Sequence, residues 1–343
     1  MNKRIFIVAF FAFLFLAGSV YAAIGITELR TEQLKNPLGI DVRQPRLGWR
    51  IESDEQNVMQ TAYHILVASS ADLLAQGKGD IWDSGKIESD ASQWIAYQGK
   101  PLKRNARYYW KVKVYTNRGE ADWSAPDFWS MGLLNEADWQ GQWIGLDRAA
   151  SGDSETQWSR LAARYLRKEF ALSKEVKRAT VHIAGMGLYE LFINGQRIGD
   201  QVLAPAPTDY RKTILYNTYD VTPQLRKENA IGVTLGNGRF YTMRQNYKPY
   251  KIPTFGYPKL RLNLIVEYMD GSKETIATNT SWKLTTEGAI RSNNEYDGEE
   301  YDVRKELGNW TQSGYDDKSW IAAQRVSIPS GTLRAQIMPG MKV

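Results

Sequence analysis

Cysteine is absent from the 343 residues, and histidine occurs only twice. Without cysteine the chain forms no disulfide, thiolate nucleophile or cysteine-ligated zinc site, and it offers no attachment point for the lipid of a lipoprotein. His64 and His182 both lie in strand-like patterns, and neither has a second histidine at metal-ligand spacing. The composition therefore argues against thiol chemistry and against histidine-based metal or nucleophilic sites.

Long blocks of one charge are also missing. The formal net charge is +6, but lysine and arginine are interspersed with acids instead of forming a basic stripe, which argues against a nucleic-acid partner. Residues 235–238 form a glycine-rich turn, but they lack the Lys-Ser/Thr pair of a phosphate-binding loop.

Long apolar runs are confined to the first 22 residues. Two basic residues precede an apolar run over residues 5–16, and small residues then surround Ala22. The run is shorter than the about 20 residues that a membrane span needs. We expect residues 1–22 to be a signal peptide cleaved before Ala23, and the protein to be exported to a bacterial periplasm or secreted, with no membrane contact after cleavage.

Aromatic residues are abundant, with 12 tryptophans and 19 tyrosines. Short runs of β-branched and aromatic residues alternate with turn residues, and no long window combines a helical period with caps at both ends. This pattern predicts an all-β fold built of sandwiches.

Residues 23–135 are predicted to form the first sandwich. Tyr108, Trp110, Val112 and Val114 alternate with lysines along one strand, so they should face a core. An early tryptophan, this strand and a terminal Trp-Ser step resemble a fibronectin type III-like sandwich, which is generally a scaffold and says little about function.

Residues 136–325 are predicted to form the second sandwich. Asn194-Gly195 and Asp270-Gly271 each stand between two strand-like runs, and both dipeptides are strong hairpin signals. The order of strands fits a galactose-binding-like jelly roll. Residues 330–343 show no partner elements, and residues 326–343 are expected to be a stub that leads to a missing third domain.

One ordered series of motifs in the second unit is long and specific. Each motif alone is weak, but their order resembles the N-terminal β-domain of bacterial α-L-rhamnosidases, and the fibronectin-like unit before it also fits that family. The motifs are Tyr189-Glu-Leu-Phe-Ile-Asn-Gly195, Gly199-Asp200, Thr208-Asp-Tyr-Arg-Lys212, Leu215-Tyr-Asn-Thr-Tyr-Asp-Val-Thr222, Leu235-Gly-Asn-Gly238 and Tyr296-Asp-Gly-Glu-Glu-Tyr301-Asp302.

The resemblance implies an inverting glycosidase that acts on terminal rhamnose of plant polysaccharides or glycosides. In that family the catalytic (α/α)₆ barrel lies far downstream, so no catalytic residue is assigned here. We therefore expect the N-terminal accessory portion of such an enzyme, inactive by itself, with a rhamnose-containing carbohydrate or the missing catalytic domain as partner. The alternative is a stand-alone carbohydrate-binding or structural interaction protein.

The segment after residue 236 is the clearest candidate for a binding surface. It follows a strand, lacks alternation and mixes aromatic rings, which stack on sugar rings, with planar polar groups, which bind hydroxyls. The alternative is a loop that packs against the missing catalytic domain. The carbohydrate-binding candidates, with two from an earlier motif, are Asp209, Tyr210, Asn237, Arg239, Tyr241, Arg244 and Tyr247.

An acidic cluster at residues 295–302 allows three interpretations. Adjacent carboxylates suit a general acid and base, but a solvated loop or ion pairs with Arg291 and Arg304 are favoured. Carboxylates also suit calcium, although the EF-hand pattern fails where Arg304 replaces the bidentate glutamate. The resemblance implies calcium in some members of the family. The calcium candidates are Asp200, Asn237, Glu295, Asp297 and Glu299.

Overall fold

A computed structural model describes residues 24–150, 153, 161–242 and 254–342. In these residues the protein is all-β, as the sequence predicted, with one short α-helix, α1 (Ala71–Ala75). None of the described helices is long and apolar enough to cross a membrane. The predicted signal peptide lies outside the described residues. Three 3₁₀ helices complete the described helical elements: Glu136–Asp138, Thr222–Gln224 and Val303–Lys305.

The first domain is a sandwich of two antiparallel sheets. One sheet has the order β1-β2-β5, and the other has the order β4-β3-β6-β7 with β8 also paired to β6. Its strands are β1 (Gly25–Thr31), β2 (Arg46–Glu52), β3 (Gln60–Ala68), β4 (Trp82–Glu88), β5 (Ile95–Ala96), β6 (Arg107–Thr116), β7 (Gly119–Glu120) and β8 (Asp127–Ser130).

The alternation along β6 places its apolar face in the core, as predicted. Tyr108, Trp110, Val112 and Val114 are all buried. They meet an aromatic cluster in which Trp49 contacts Tyr63 edge-to-face at 5.3 Å between ring centroids. Large buried rings contribute most of the apolar burial in a domain of this size, about 2 kcal/mol or more for each side chain.

The second domain is a jelly-roll sandwich. One sheet has the order β13-β12-β16-β10-β19-β22, and the facing sheet has the order β23-β9-β17-β11-β15-β24 with β18 beside β17. The described strands are β9 (Ile144–Gly145), β10 (Arg164–Ala171), β11 (Val176–Met186), β12 (Leu188–Ile193), β13 (Gln196–Arg197), β14 (Gln201–Val202), β15 (Thr213–Asp220), β16 (Glu228–Gly236), β17 (Lys259–Tyr268), β18 (Lys273–Ala277), β19 (Lys283–Thr285), β20 (Ile290–Asn294), β21 (Gly298–Tyr301), β22 (Ile321–Ala322), β23 (Gln324–Arg325), β24 (Thr332–Ala335) and β25 (Met341–Lys342).

Both hairpin predictions are confirmed. Asn194 and Gly195 adopt φ angles of 51° and 83° and join β12 to β13. Gly271 adopts a φ of 82° in the turn between β17 and β18. Inward-facing residues of the two sheets, such as Val181 and Val233, then form one continuous core.

The expectation that residues 330–343 have no partner elements was wrong. β24 pairs in parallel with β15, where Thr213 lies opposite Thr332, and β25 pairs antiparallel with β14. Both pairings join segments that are far apart in the sequence, so no turn signal announces them.

The two domains contact each other through buried and partly buried polar groups. Arg107 of β6 forms an ion pair with Asp220 at 2.8 Å. His182 of β11 is fully buried. Its neutral ring makes two hydrogen bonds: Nε2–H donates to Asn105 Oδ1 at 3.1 Å, and Nδ1 accepts from the Thr218 hydroxyl at 2.9 Å. Because β11 has the jelly-roll core on one face and the first domain on the other, both of its faces are buried there.

Gly39 allows the first domain to approach Thr218. Its φ is +71°, and a Cβ at this position would lie 2.0 Å from Thr218 Oγ1. We predict that Gly39→Ala lowers the free energy of unfolding by about 2–4 kcal/mol, since backbone strain and a steric clash add together. Urea unfolding followed by tryptophan fluorescence measures the change.

Gly77→Ala is the matched control. Gly77 has a nearly equal φ of +74°, but nothing lies within 4 Å of the position that its Cβ would take. This substitution should lower the free energy of unfolding by about 1 kcal/mol, because it introduces backbone strain without a steric clash. Equal losses for the two variants would contradict the proposed contact with Thr218.

His182 should make stability depend on pH. Burial, with a smaller contribution from Arg178, lowers the pKa of His182 to about 3, whereas an unfolded histidine has a pKa near 6.5. The unfolded chain therefore binds the proton first as the pH falls, so this stability is present above pH 6.5 and is lost toward pH 3. We expect a loss of up to about 2 kcal/mol between pH 6.5 and 5.

Urea unfolding at several pH values measures this slope. His182→Gln should reduce the slope in that window, while His64→Gln, which changes the other histidine of the chain, should retain it. A slope that survives in His182→Gln would assign the pH dependence to other groups.

Candidate functional site

A cleft with a volume of about 760 Å³ opens at one edge of the second domain. Its lining comes from the start of β12, the end of β16, the β20–β21 hairpin, and β14 with its partner β25. The jelly-roll core therefore supplies the base of the cleft, and two short two-stranded ribbons supply its sides.

Both apolar and planar polar groups line the cleft. Leu203, Tyr301 and Met341 are each 55% exposed, so they offer apolar surface to a ligand. Such surface beside a few directed polar groups suits a small ring with hydroxyl groups, whose C–H face contacts the apolar side chains. The polar lining residues are Glu190, Arg239, Asn293, Asn294, Glu295 and Glu299.

Asn237 joins the β20–β21 hairpin to the end of β16. Its side-chain amide donates to the carbonyls of Leu161 and Asn293, each at 2.8 Å, and its backbone N–H donates to Asn293 Oδ1 at 2.6 Å. Asn237 is buried and does not line the cleft, although the sequence predicted that it binds the carbohydrate directly. We assign it the structural role of holding Asn293 in position at the cleft. Among the described residues, Asn293 Nδ2 has no hydrogen-bond partner.

Tyr210 and Arg239 lie in the cleft, as two members of the predicted binding set. Arg239 donates to Glu295 at 2.8 Å and to the Tyr296 hydroxyl at 3.3 Å. The Tyr210 ring contacts Phe240 edge-to-face at 5.2 Å. Burial, with a smaller effect of Glu295, raises the pKa of Tyr210 to about 12, so its hydroxyl remains a proton donor at neutral pH.

The structure places Asp209 and Tyr241 away from the lining of the cleft. Asp209 forms an ion pair with Arg211 at 2.9 Å and does not line the cleft. Tyr241 is buried and stacks on Tyr257 with 5.8 Å between ring centroids. Arg244 and Tyr247 lie outside the described residues.

The calcium candidates are distributed over separate contacts. Asp200 pairs with Lys342 at 2.5 Å, Glu295 with Arg239, and Asp297 accepts from Asn294 at 3.1 Å. Within the described part of the chain, no three His, Cys, Asp or Glu side chains gather closely enough to hold a metal ion. The calcium prediction stays a prediction that a binding experiment must test.

The acidic cluster at 295–302 consists largely of ion-paired and capping groups. Asp302 accepts from Arg304 Nε at 2.8 Å, and this contact lowers the pKa of Asp302 to about 2. A general acid needs a raised pKa, so Asp302 has the opposite property. The Tyr301 hydroxyl donates to Glu306 at 2.8 Å, which holds its ring at the cleft.

Leu203, Tyr301 and Met341 line the cleft, but sequence reasoning did not identify them as site residues. Leu203 adopts a φ of 52°, a left-handed conformation that its sequence context does not predict. Met341 lies in the segment that was expected to lack partners. Tyr301 belongs to a motif of the resemblance, and that motif is the one signal that pointed to this hairpin.

Two family models match the chain. The model described as the α-L-rhamnosidase N-terminal domain matches residues 174–343, and the model described as the Rha78A-like, N-terminal immunoglobulin domain matches residues 26–135. The cleft lies within the first of these matches.

Curated relatives and solved structures agree with the family models. An α-L-rhamnosidase of Formosa agariphila is 40% identical over 327 residues, which cover 90% of this chain and 34% of the relative. The structure of an α-L-rhamnosidase from Dictyoglumus thermophilum aligns with a TM-score of 0.83 at 40% identity, covering 92% of this chain and 35% of that chain. The crystal structure of a Streptomyces avermitilis α-L-rhamnosidase complexed with L-rhamnose aligns with a TM-score of 0.84 at 25% identity, covering 94% of this chain and 47% of that chain.

The chain thus spans about a third of the length of the Formosa agariphila relative. Both of its domains match domains that stand at the N-terminus of α-L-rhamnosidases. The chain belongs to the α-L-rhamnosidase family and corresponds to the N-terminal portion of its members.

Proposed function

We propose that this chain is the accessory N-terminal portion of an α-L-rhamnosidase and that its jelly-roll domain binds a rhamnose-containing carbohydrate in the cleft. The observation that carries the proposal is the joint presence of exposed apolar side chains and planar polar groups around one 760 Å³ cavity. We assign hydrolysis to a part of the enzyme that lies outside this chain.

The chemistry of the cleft favours a deoxy sugar. Leu203, Tyr301 and Met341 suit the methyl group and the C–H face of such a ring. We expect its hydroxyl groups to be bound by Arg239, Asn293 and the Tyr210 hydroxyl.

Tyr210→Phe tests the cleft without disturbing its packing. The ring contacts with Phe240 and Phe255 remain, and only the hydroxyl is lost. We expect affinity for L-rhamnose to fall by about 3- to 10-fold, as for the loss of one hydrogen bond, with unchanged stability. Isothermal titration calorimetry measures the affinity, and thermal unfolding measures the stability.

Tyr115→Phe, on β6 of the first domain, is the matched control and should bind as the wild type does. The same titration with a calcium chelator tests whether the ion assists binding: weaker binding with the chelator supports calcium at the sugar site, and unchanged binding excludes calcium-assisted binding. If L-rhamnose produces no heat of binding in either buffer, the proposal that the cleft binds carbohydrate is wrong. Turnover of a chromogenic rhamnoside by the purified chain would contradict the assignment of hydrolysis to another part.

A docking surface for the rest of the enzyme is the second candidate function. Leu203, Met338 and Met341 are all about half exposed. β14 and β25 bring two of these apolar side chains close together, and such a patch generally marks an interface. If the wild-type protein fails to bind rhamnose, docking of the rest of the enzyme becomes the favoured function of this edge of the cleft.

We further propose that the protein is exported, on the basis of the basic and apolar pattern of residues 1–22. Expression from the full reading frame in a Gram-negative host should yield a mature protein that begins at Ala23. N-terminal sequencing of the periplasmic or secreted fraction checks this, and a mature protein that retains Met1 would disprove cleavage.

A further inference from the structure

Trp94 stands apart from the other tryptophans of the described residues, because it alone is mostly exposed, at 54%. Its φ is +61°, a left-handed backbone conformation that is unfavourable for a bulky residue. In a core residue such strain is offset by burial, but here the strained backbone directs an aromatic ring toward solvent. Backbone strain of this kind is common at ligand-binding sites.

The ring is held in place from one side. The guanidinium of Arg46 lies 4.4 Å from the centre of the Trp94 ring. Arg46 is in turn fixed to Glu32 by two hydrogen bonds, Nε to Oε1 at 3.1 Å and Nη2 to Oε2 at 2.6 Å. The Glu32 side chain is almost completely buried, so the stack of Glu32, Arg46 and Trp94 forms a rigid platform with one ring face covered.

Planar amides border this platform. Gln93 donates from Nε2 to the Trp49 carbonyl at 2.8 Å, and Gln33 donates to Gln93 Oε1 at 3.4 Å. Gly48 makes room for the Gln93 side chain, because a Cβ there would lie 2.7 Å from Gln93 Oε1. The edge of the platform therefore offers hydrogen-bonding groups held by neighbouring backbone.

We infer that Trp94 is a second saccharide-binding platform, located on the first domain and independent of the cleft. The open face of the indole is the size of one pyranose ring, whose C–H face stacks on it. The Gln33 amide is placed to bind a hydroxyl group at the edge of such a ring, while Arg46 supports the indole from its covered face. A large apolar partner is less well matched, because the groups bordering the ring are polar.

The experiment follows the indole N–H signals of the ¹⁵N-labelled chain by NMR while L-rhamnose, D-galactose and D-xylose are added in separate titrations. We expect a saturable shift of the Trp94 signal, assigned by its loss in Trp94→Phe, with at least one sugar. Trp94→Ala should weaken binding of that sugar at this site by roughly tenfold or more, measured from the remaining shifts of backbone amides around Gln33 and Gln93.

Trp123 supplies the matched control. It is half-buried and carries a cation, Lys111 Nζ at 5.0 Å from its ring centre, but it is not held at a positive φ. Trp123→Ala should leave the Trp94 shift unchanged, and so should Tyr210→Phe in the cleft, which separates this inference from the proposed function. If none of the three sugars moves the Trp94 signal, the ring serves only to cover the Arg46–Glu32 ion pair and the inference is overturned.

Discussion

The cleft depends on a small set of hydrogen bonds that a buried asparagine makes at the end of β16. Asn237 binds the carbonyls of Leu161 and Asn293 and the side chain of Asn293. Burial makes these bonds costly to break, because water cannot replace them. They fix the β20–β21 hairpin, and with it Asn293, against the jelly-roll core, so one side of the cavity depends on this connection.

The contact between the two domains is a second constraint of the same kind. Its polar members are buried or partly buried, and they are paired: Arg107 with Asp220, and neutral His182 with Asn105 and Thr218. Such an interface has specific geometry but tolerates little change in charge or volume. The proposed cleft and the proposed tryptophan platform therefore lie on two domains that are joined by specific contacts.

Sequence reasoning was most successful where a pattern is local. The alternation along β6 and the Asn194-Gly195 turn are short-range signals, and the structure confirms both. Tyr210 and Arg239 were proposed as ligand-binding residues from their side-chain chemistry, and both line the cleft, while their binding role stays a prediction. Asn237 was named as a ligand for the same reason, but its burial gives it a structural role, and burial cannot be read from composition.

The remaining features needed the tertiary structure. β24 and β25 join partners that are distant in the sequence, and the second face of β11 is buried only because another domain covers it. By itself the sequence determined the fold class, the two hairpins and the family, since these depend on local periodicity and on ordered motifs. Only the tertiary structure decided which residues share a cleft and which aromatic rings reach solvent, because both depend on long-range packing that no local pattern encodes.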